Sequence, residues 1–180
     1  MHHKTRILLQ ELCVFLLFFV MCINSANAIY VYRYEQERDT WCWAASAQMI
    51  GHTLGRTVTQ SQIVEYVKGS VCDGGADIFQ ASQAVDYATL QYSTVHGKFL
   101  TFSDVIAELS SGDPFYVSIG WNSGSGGHAV VASGYSSTSR TVTLIDPWYD
   151  AETAAYPYDS MISSCTFQTG TGYWRNTITV

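Results

Sequence analysis

A chain of 180 residues that is 47% hydrophobic and 13% charged carries enough apolar material for one core of ordinary size and too little length for two. Only three prolines, no run of like charge and no internal repeat argue against disorder, a polybasic tail, a coiled coil or a repeat array. A net charge of −6 excludes binding to nucleic acid by charge.

The first feature in chain order is a leader. Lys4 and Arg6 precede an almost unbroken apolar run from Cys13 to Cys22, and Ala26-Asn27-Ala28 follows with the small-x-small spacing that a signal peptidase requires. The run is shorter than the roughly 20 residues of a membrane-spanning helix. Residues 1–28 are therefore expected to be a signal peptide, and 29–180 one mature domain, secreted or periplasmic and away from the membrane. Cleavage removes Lys4, Arg6 and Glu11, which moves the net charge from −6 to −7. It also removes Cys13 and Cys22 and leaves Cys42, Cys72 and Cys165. An odd count in an exported chain suggests one bond and one free thiol. The economical pairing is Cys72 with Cys165, both in Gly- or Ser-rich surroundings typical of surface loops, with Cys42 reduced.

Trp43 to Leu54 is Ala-rich and apolar around much of its circumference, with Gly55 as a stop, and predicts a buried helix. Thr59-Gln60-Ser61-Gln62 is a capping box that opens a second helix, closed by Gly69. Apolar residues recurring at three and four positions predict a third helix over Asp77 to Thr89, and Ser103 to Leu109 gives a short fourth. Beyond Pro114 the pattern changes to β-branched and aromatic runs: Phe115 to Ile119, His128 to Ala132, Thr141 to Ile145 and Tyr173 to Val180. Helices first and strands second imply an α+β fold.

The residues that carry chemistry fall at the borders of these elements. Cys42 stands at the mouth of the first helix, where unpaired N–H groups and the macrodipole favour thiolate over thiol. In isolation a cysteine between Trp41 and Trp43 is as readily a buried apolar residue. His128 opens an apolar strand directly after Gly124-Ser125-Gly126-Gly127, whose glycines let substrate and backbone approach the ring. Of the other histidines, His52 lies about 15 Å from Cys42 along the same helix, beyond reach, and His96 sits in a polar loop. Asp146 emerges at the end of a strand, followed by Pro147 and Trp148, and is placed to orient an imidazole and support its charged form. Gln36 precedes Cys42 by six residues and, with the Cys42 backbone N–H, is a candidate donor to an oxyanion.

Gln36 before Cys42-Trp43, Gly127-His128 opening an apolar strand, and Asp146-Pro147-Trp148 closing the next one resemble the papain-like cysteine peptidases, in particular the compact bacterial C39-like and C70 (AvrRpt2-type) branches. The resemblance spans Gln36 to Trp148. It implies a papain-like fold in which a helical half carrying the nucleophile helix packs on a C-terminal antiparallel sheet. Trp148 holds the place where larger relatives shield the histidine contact with an indole. Two departures favour the compact branch. Cys42 and His128 are 86 residues apart, against roughly 130 to 150 in papain, and Asp146 stands where papain has Asn.

The expected function is hydrolysis of peptide bonds, with Cys42 as nucleophile, His128 as base and acid, Asp146 as orienting group and Gln36 at the oxyanion. Trp41, Trp43, Trp121, Gly127 and Trp148 are expected to contact a polypeptide substrate. An acidic surface and an aromatic cleft would suit a basic or apolar peptide. The protein is expected to be a monomer without cofactor, since no Cys or His pair has metal-ligand spacing. Two other readings keep the scaffold. One is amide chemistry at the same site, as a deamidase, a transglutaminase-like enzyme or a cell-wall amidase. The other is a catalytically idle binding module.

Overall fold

The computed structural model describes residues 26–180; most of the expected leader, including Lys4, Arg6 and Cys13 to Cys22, lies outside the described residues. Strand β1 (Ala26–Ala28) is followed by three helices, α1 (Cys42–Thr53), α2 (Gln60–Lys68) and α3 (Ile78–Thr89). Then come β2 (Thr94–His96), α4 (Phe102–Ser111), β3 (Phe115–Trp121), β4 (Gly127–Ser136) and β5 (Thr141–Ile145). The chain ends with β6 (Ala154–Pro157), α5 (Tyr158–Met161), β7 (Cys165–Phe167) and β8 (Gly170–Thr179).

Local chemistry sets most helix ends. The expected capping box is formed: Gln62 N–H donates to the Thr59 hydroxyl, and the Thr59 N–H donates to the Gln62 side chain. Gly69 closes α2 with φ 76°, a left-handed conformation natural to glycine. Asp77 and Thr101 cap α3 and α4 in the same way. Helix α1 differs, because Trp41 at its N-cap contributes no side-chain hydrogen bond.

The strands form one antiparallel sheet in the order β2-β8-β3-β4-β5-β6, with β1 against β4 and β7 against β8. Its two faces are both covered. Along β3 and β4, Tyr116, Ala129 and Val131 face a core made with α1, α2 and α3, while Phe115, Val117, Val130 and Ala132 face a second core with Leu109 of α4 and Trp174 of β8. A sheet buried on both sides explains why these strands read as continuous apolar runs rather than as alternating ones. Helices α1 and α3 meet at Gly51, where a Cβ would stand 2.5 Å from the Ala88 carbonyl oxygen, so only glycine permits this approach.

Three expectations need correction here. Cys72 and Cys165 are not bonded: all three described cysteines are free thiols. Cys165 is not on a surface loop but in β7, buried in the second core, and that burial pushes its thiol pKa up. Cys72 is exposed between α2 and α3, its carbonyl accepting from the indole of Trp41 in the first core. His96 likewise lies not in a loop but in β2, its Nε2 against the Thr179 hydroxyl at 3.0 Å.

Candidate active site

Three elements deliver the reactive side chains to one place. Cys42 is the first residue of α1, and no N-cap side chain takes up the first-turn N–H groups of that helix. His128 is the second residue of β4, and Asp146 follows the last residue of the neighbouring β5. The β4–β5 register sets Val131 opposite Ile145, so both groups emerge at one end of the sheet. Just before His128, a Cβ at Gly127 would lie 2.3 Å from the Ile119 carbonyl oxygen, so glycine is what allows β4 to enter the sheet here.

His128 Nε2 and Asp146 Oδ1 are 2.6 Å apart, and both residues are buried. The Cys42 side chain is the ring's other hydrogen-bonding partner. Burial disfavours the imidazolium. The hydrogen bonds to Asp146 and Cys42, together with the charges on both, outweigh it and raise the His128 pKa to about 9. The ring is also walled by aromatic groups: Trp121 lies nearly parallel to it at 6.0 Å and Trp148 stands edge-on at 6.2 Å. Tyr116 is on the same cleft wall, and burial, then the charge at Cys42, hold its phenol well above the ordinary range, so it remains protonated.

Asp146 is immobilised from several directions. Its carboxylate also accepts from the Trp148 N–H at 2.8 Å and from the Thr169 hydroxyl at 3.3 Å. The corner it begins is tied to the segment before α1. Arg33 donates to the carbonyls of Asp146, at 2.8 Å, and of Trp148, and the Gln36 N–H donates to the Pro147 carbonyl at 2.8 Å. Nothing in the pattern around Arg33 announces this, because the segment is irregular and its partners are 113 and 115 residues away.

The site opens into a cleft of about 670 Å³ between the α2–α3 connection, with Gly75 and Ala76, and the sheet, with Ser118 and Arg175. Trp43, Trp121, Gly127 and Trp148 line it. Trp43 offers only an edge, since it is 2% exposed and its indole N–H donates to the Gly74 carbonyl. Trp41 does not line the cleft. It is 1% exposed within the first core, because the turn before α1 points its ring inward. Gln36 is buried too and is not brought to the cleft. Its amide hydrogens go to the carbonyls of Arg38 and Asp39, both at 2.8 Å, while its oxygen has no partner. Ser118, Arg175 and Asn176, which sequence reasoning passed over, line the sheet side. Among the described residues, no group of three or more His, Cys, Asp or Glu is arranged to hold a metal.

A helix-start cysteine set against an imidazole on a neighbouring antiparallel sheet defines a cysteine-type peptidase with a papain-like fold. Residues 28–179 match the model of the Peptidase C39-like family, and the chain belongs to that family. Solved structures agree on the fold. A protein of Bacillus anthracis described as a C39-like peptidase superposes with a TM-score of 0.63 at 15% identity, over 87% of this chain and 98% of that one. The peptidase domain of Streptococcus ComA, a bifunctional ABC transporter involved in quorum sensing, gives 0.59 at 14% identity, over 83% and 96%. A double glycine motif protease from an AMS/PCAT transporter, solved with its leader peptide, gives 0.53 at 16% identity, over 84% and 91%. No curated protein matches the sequence.

Proposed function

We propose that Cys42, His128 and Asp146 form a catalytic triad for the hydrolysis of peptide bonds in a polypeptide substrate. The observation that carries this is the double engagement of the His128 ring, with Asp146 at 2.6 Å on Nε2 and Cys42 as its second hydrogen-bonding partner, in an open cleft. The thiolate of Cys42 attacks the carbonyl carbon and forms a tetrahedral oxyanion. That oxyanion sits beside the Cys42 N–H at the uncapped start of α1. The His128 imidazolium gives its proton to the leaving amine as the C–N bond breaks, which leaves a thioester and a neutral ring. The ring then takes a proton from water, whose oxygen attacks the thioester and releases the acid and the thiolate. Gln36 joins the oxyanion donors once its amide turns away from the Arg38 and Asp39 carbonyls; otherwise it holds the turn that presents Cys42.

A polypeptide substrate is supported by the neighbour solved with a leader peptide. Activation of the thiol is tested by alkylation of Cys42 with iodoacetamide as a function of pH, read by mass spectrometry. The rate is expected to stay high well below pH 8 in the native protein and to revert to ordinary thiol behaviour in His128→Ala. An ordinary profile in both would sink the triad.

Export is proposed from the leader pattern in residues 1–28. Cleavage after Ala28 would also remove β1, which lies against Gly134 to Ser136 at the end of β4. The exported protein should then begin at Ile29 and have the mass of a single chain in solution. Mass spectrometry and light scattering check both, and an N-terminus upstream of Ala26 would show that β1 is kept.

A further inference from the structure

The sheet side of the cleft contains a β-bulge that changes which side chains reach it. Across β3 and β8, Ser118 is opposite Asn176, but the next residue, Ile119, is opposite Trp174. Arg175 is the extra residue. In a regular strand Arg175 and Asn176 would point to opposite faces. With the bulge both line the cleft, while Trp174 and Thr177 on either side remain buried. The stem of Arg175 runs over the bare backbone of Gly120, its Cδ 3.2 Å from the point where a Cβ would be, so glycine at that position leaves the stem its path.

None among the described residues answers the charge of Arg175. Among the described residues the ion pairs join Arg33 to Glu35, His128 to Asp146 and Arg140 to Asp159; Arg175 is in none of them and donates no side-chain hydrogen bond. The carboxylates that line the same cleft are already engaged. Asp77 caps α3 by accepting from the N–H groups of Phe79 and Gln80, both at 2.9 Å, and Asp39 faces the Tyr149 hydroxyl. Asp39 and Asp77 keep their negative charge on the helical side of the cleft, and on the sheet side Arg175 supplies a positive charge with no carboxylate beside it, on a chain whose net charge is −6. Ser118 and Asn176, paired across the two strands, add a hydroxyl and an amide to the same wall. A guanidinium fork flanked by two neutral donors is the arrangement that binds a carboxylate.

We propose that Arg175, with Ser118 and Asn176, forms a subsite for a carboxylate of the substrate, so that the enzyme prefers Asp or Glu close to the cleaved bond. This reverses the expectation of a basic or apolar peptide, and it rests on the cysteine-peptidase reading of the cleft. The probes are peptidyl chloromethyl ketones that alkylate Cys42 and carry Glu, Gln or Lys at each of three positions before the electrophile. At one position the Glu probe should label about tenfold faster than the Gln probe, the factor of one charge-assisted hydrogen bond in a partly exposed site. Arg175→Gln should bring that ratio to about one, and Arg175→Glu should turn the preference toward Lys. Equal rates for Glu and Gln at every position, or a Glu preference that survives Arg175→Gln, overturns the subsite.

Competing peptides with free or amidated C-termini locate the carboxylate. An Arg175-dependent advantage of the free terminus assigns the subsite to a chain end instead of a side chain. The ratios are meaningful even for an unactivated thiol, since the ketones alkylate that too. Iodoacetamide on the native protein reads activation separately, so failure of the subsite and failure of the triad are distinguishable.

Discussion

Alanine in place of His128 should reduce peptide hydrolysis about 10³-fold or more, measured as kcat/KM on a fluorogenic peptide. In the proposed mechanism this ring both holds the proton for the leaving amine and hydrogen-bonds to Cys42. No other described histidine can replace it. His52 is packed edge-on against Tyr32 and Tyr34, and His96 is bound to Thr179 at the far edge of the sheet. The same residue sets the alkaline limit. With its pKa raised from 6.5 to about 9, His128 keeps its proton through the neutral range, and the imidazolium is lost as pH rises through about 9. The native rate should fall there, and a native profile still rising at pH 10 would contradict the assignment of His128 as the acid.

Asp146 should separate orientation from charge. Asp146→Ala removes the acceptor for the buried imidazole and for the part-buried Trp148 N–H and Thr169 hydroxyl together, and should cost roughly 10²- to 10⁴-fold in kcat. Asp146→Asn keeps an oxygen that can accept from the ring but loses the negative charge. Its rate should fall less than that of the alanine variant, while its alkaline limb moves down from about 9 toward 6.5. The pH dependence of kcat/KM for the two variants side by side is the measurement. A limb unmoved in Asp146→Asn would assign the raised pKa to Cys42 alone.

What the sequence disclosed was chemistry that acts over a few residues. Thr59 with Gln62, and Gly69, mark the ends of α2 because capping is local, and Gly127-His128 and Asp146-Pro147 stand at strand ends that β-branched runs already delimit. Strands β2, β6 and β7 were not legible, since three or four residues are too few to show a period and their pairing comes from β8 and β5. The fate of Trp41, Cys165 and Gln36 was equally hidden: each is buried by tertiary contacts that their neighbours in sequence do not encode. Arg175 shows the same limit from the other side. Whether it faces water or the cleft depends on a single-residue slip between β3 and β8, and alternation alone is blind to such a slip.

The corner that begins with Asp146 is anchored by residues 33 to 36, more than a hundred positions earlier in the chain, through Arg33 and the Gln36 N–H. That arm lies outside every helix and strand, and none of the buried residues of the first core belongs to it, although Tyr34 packs against that core. A single clip within it would cut the backbone tie of that corner while the helices and strands of both cores stayed joined, leaving the aspartate held only by His128, the Trp148 N–H and Thr169. Loss of activity and loss of structure would then be separate events, and a nicked, inactive molecule would melt much like an intact one.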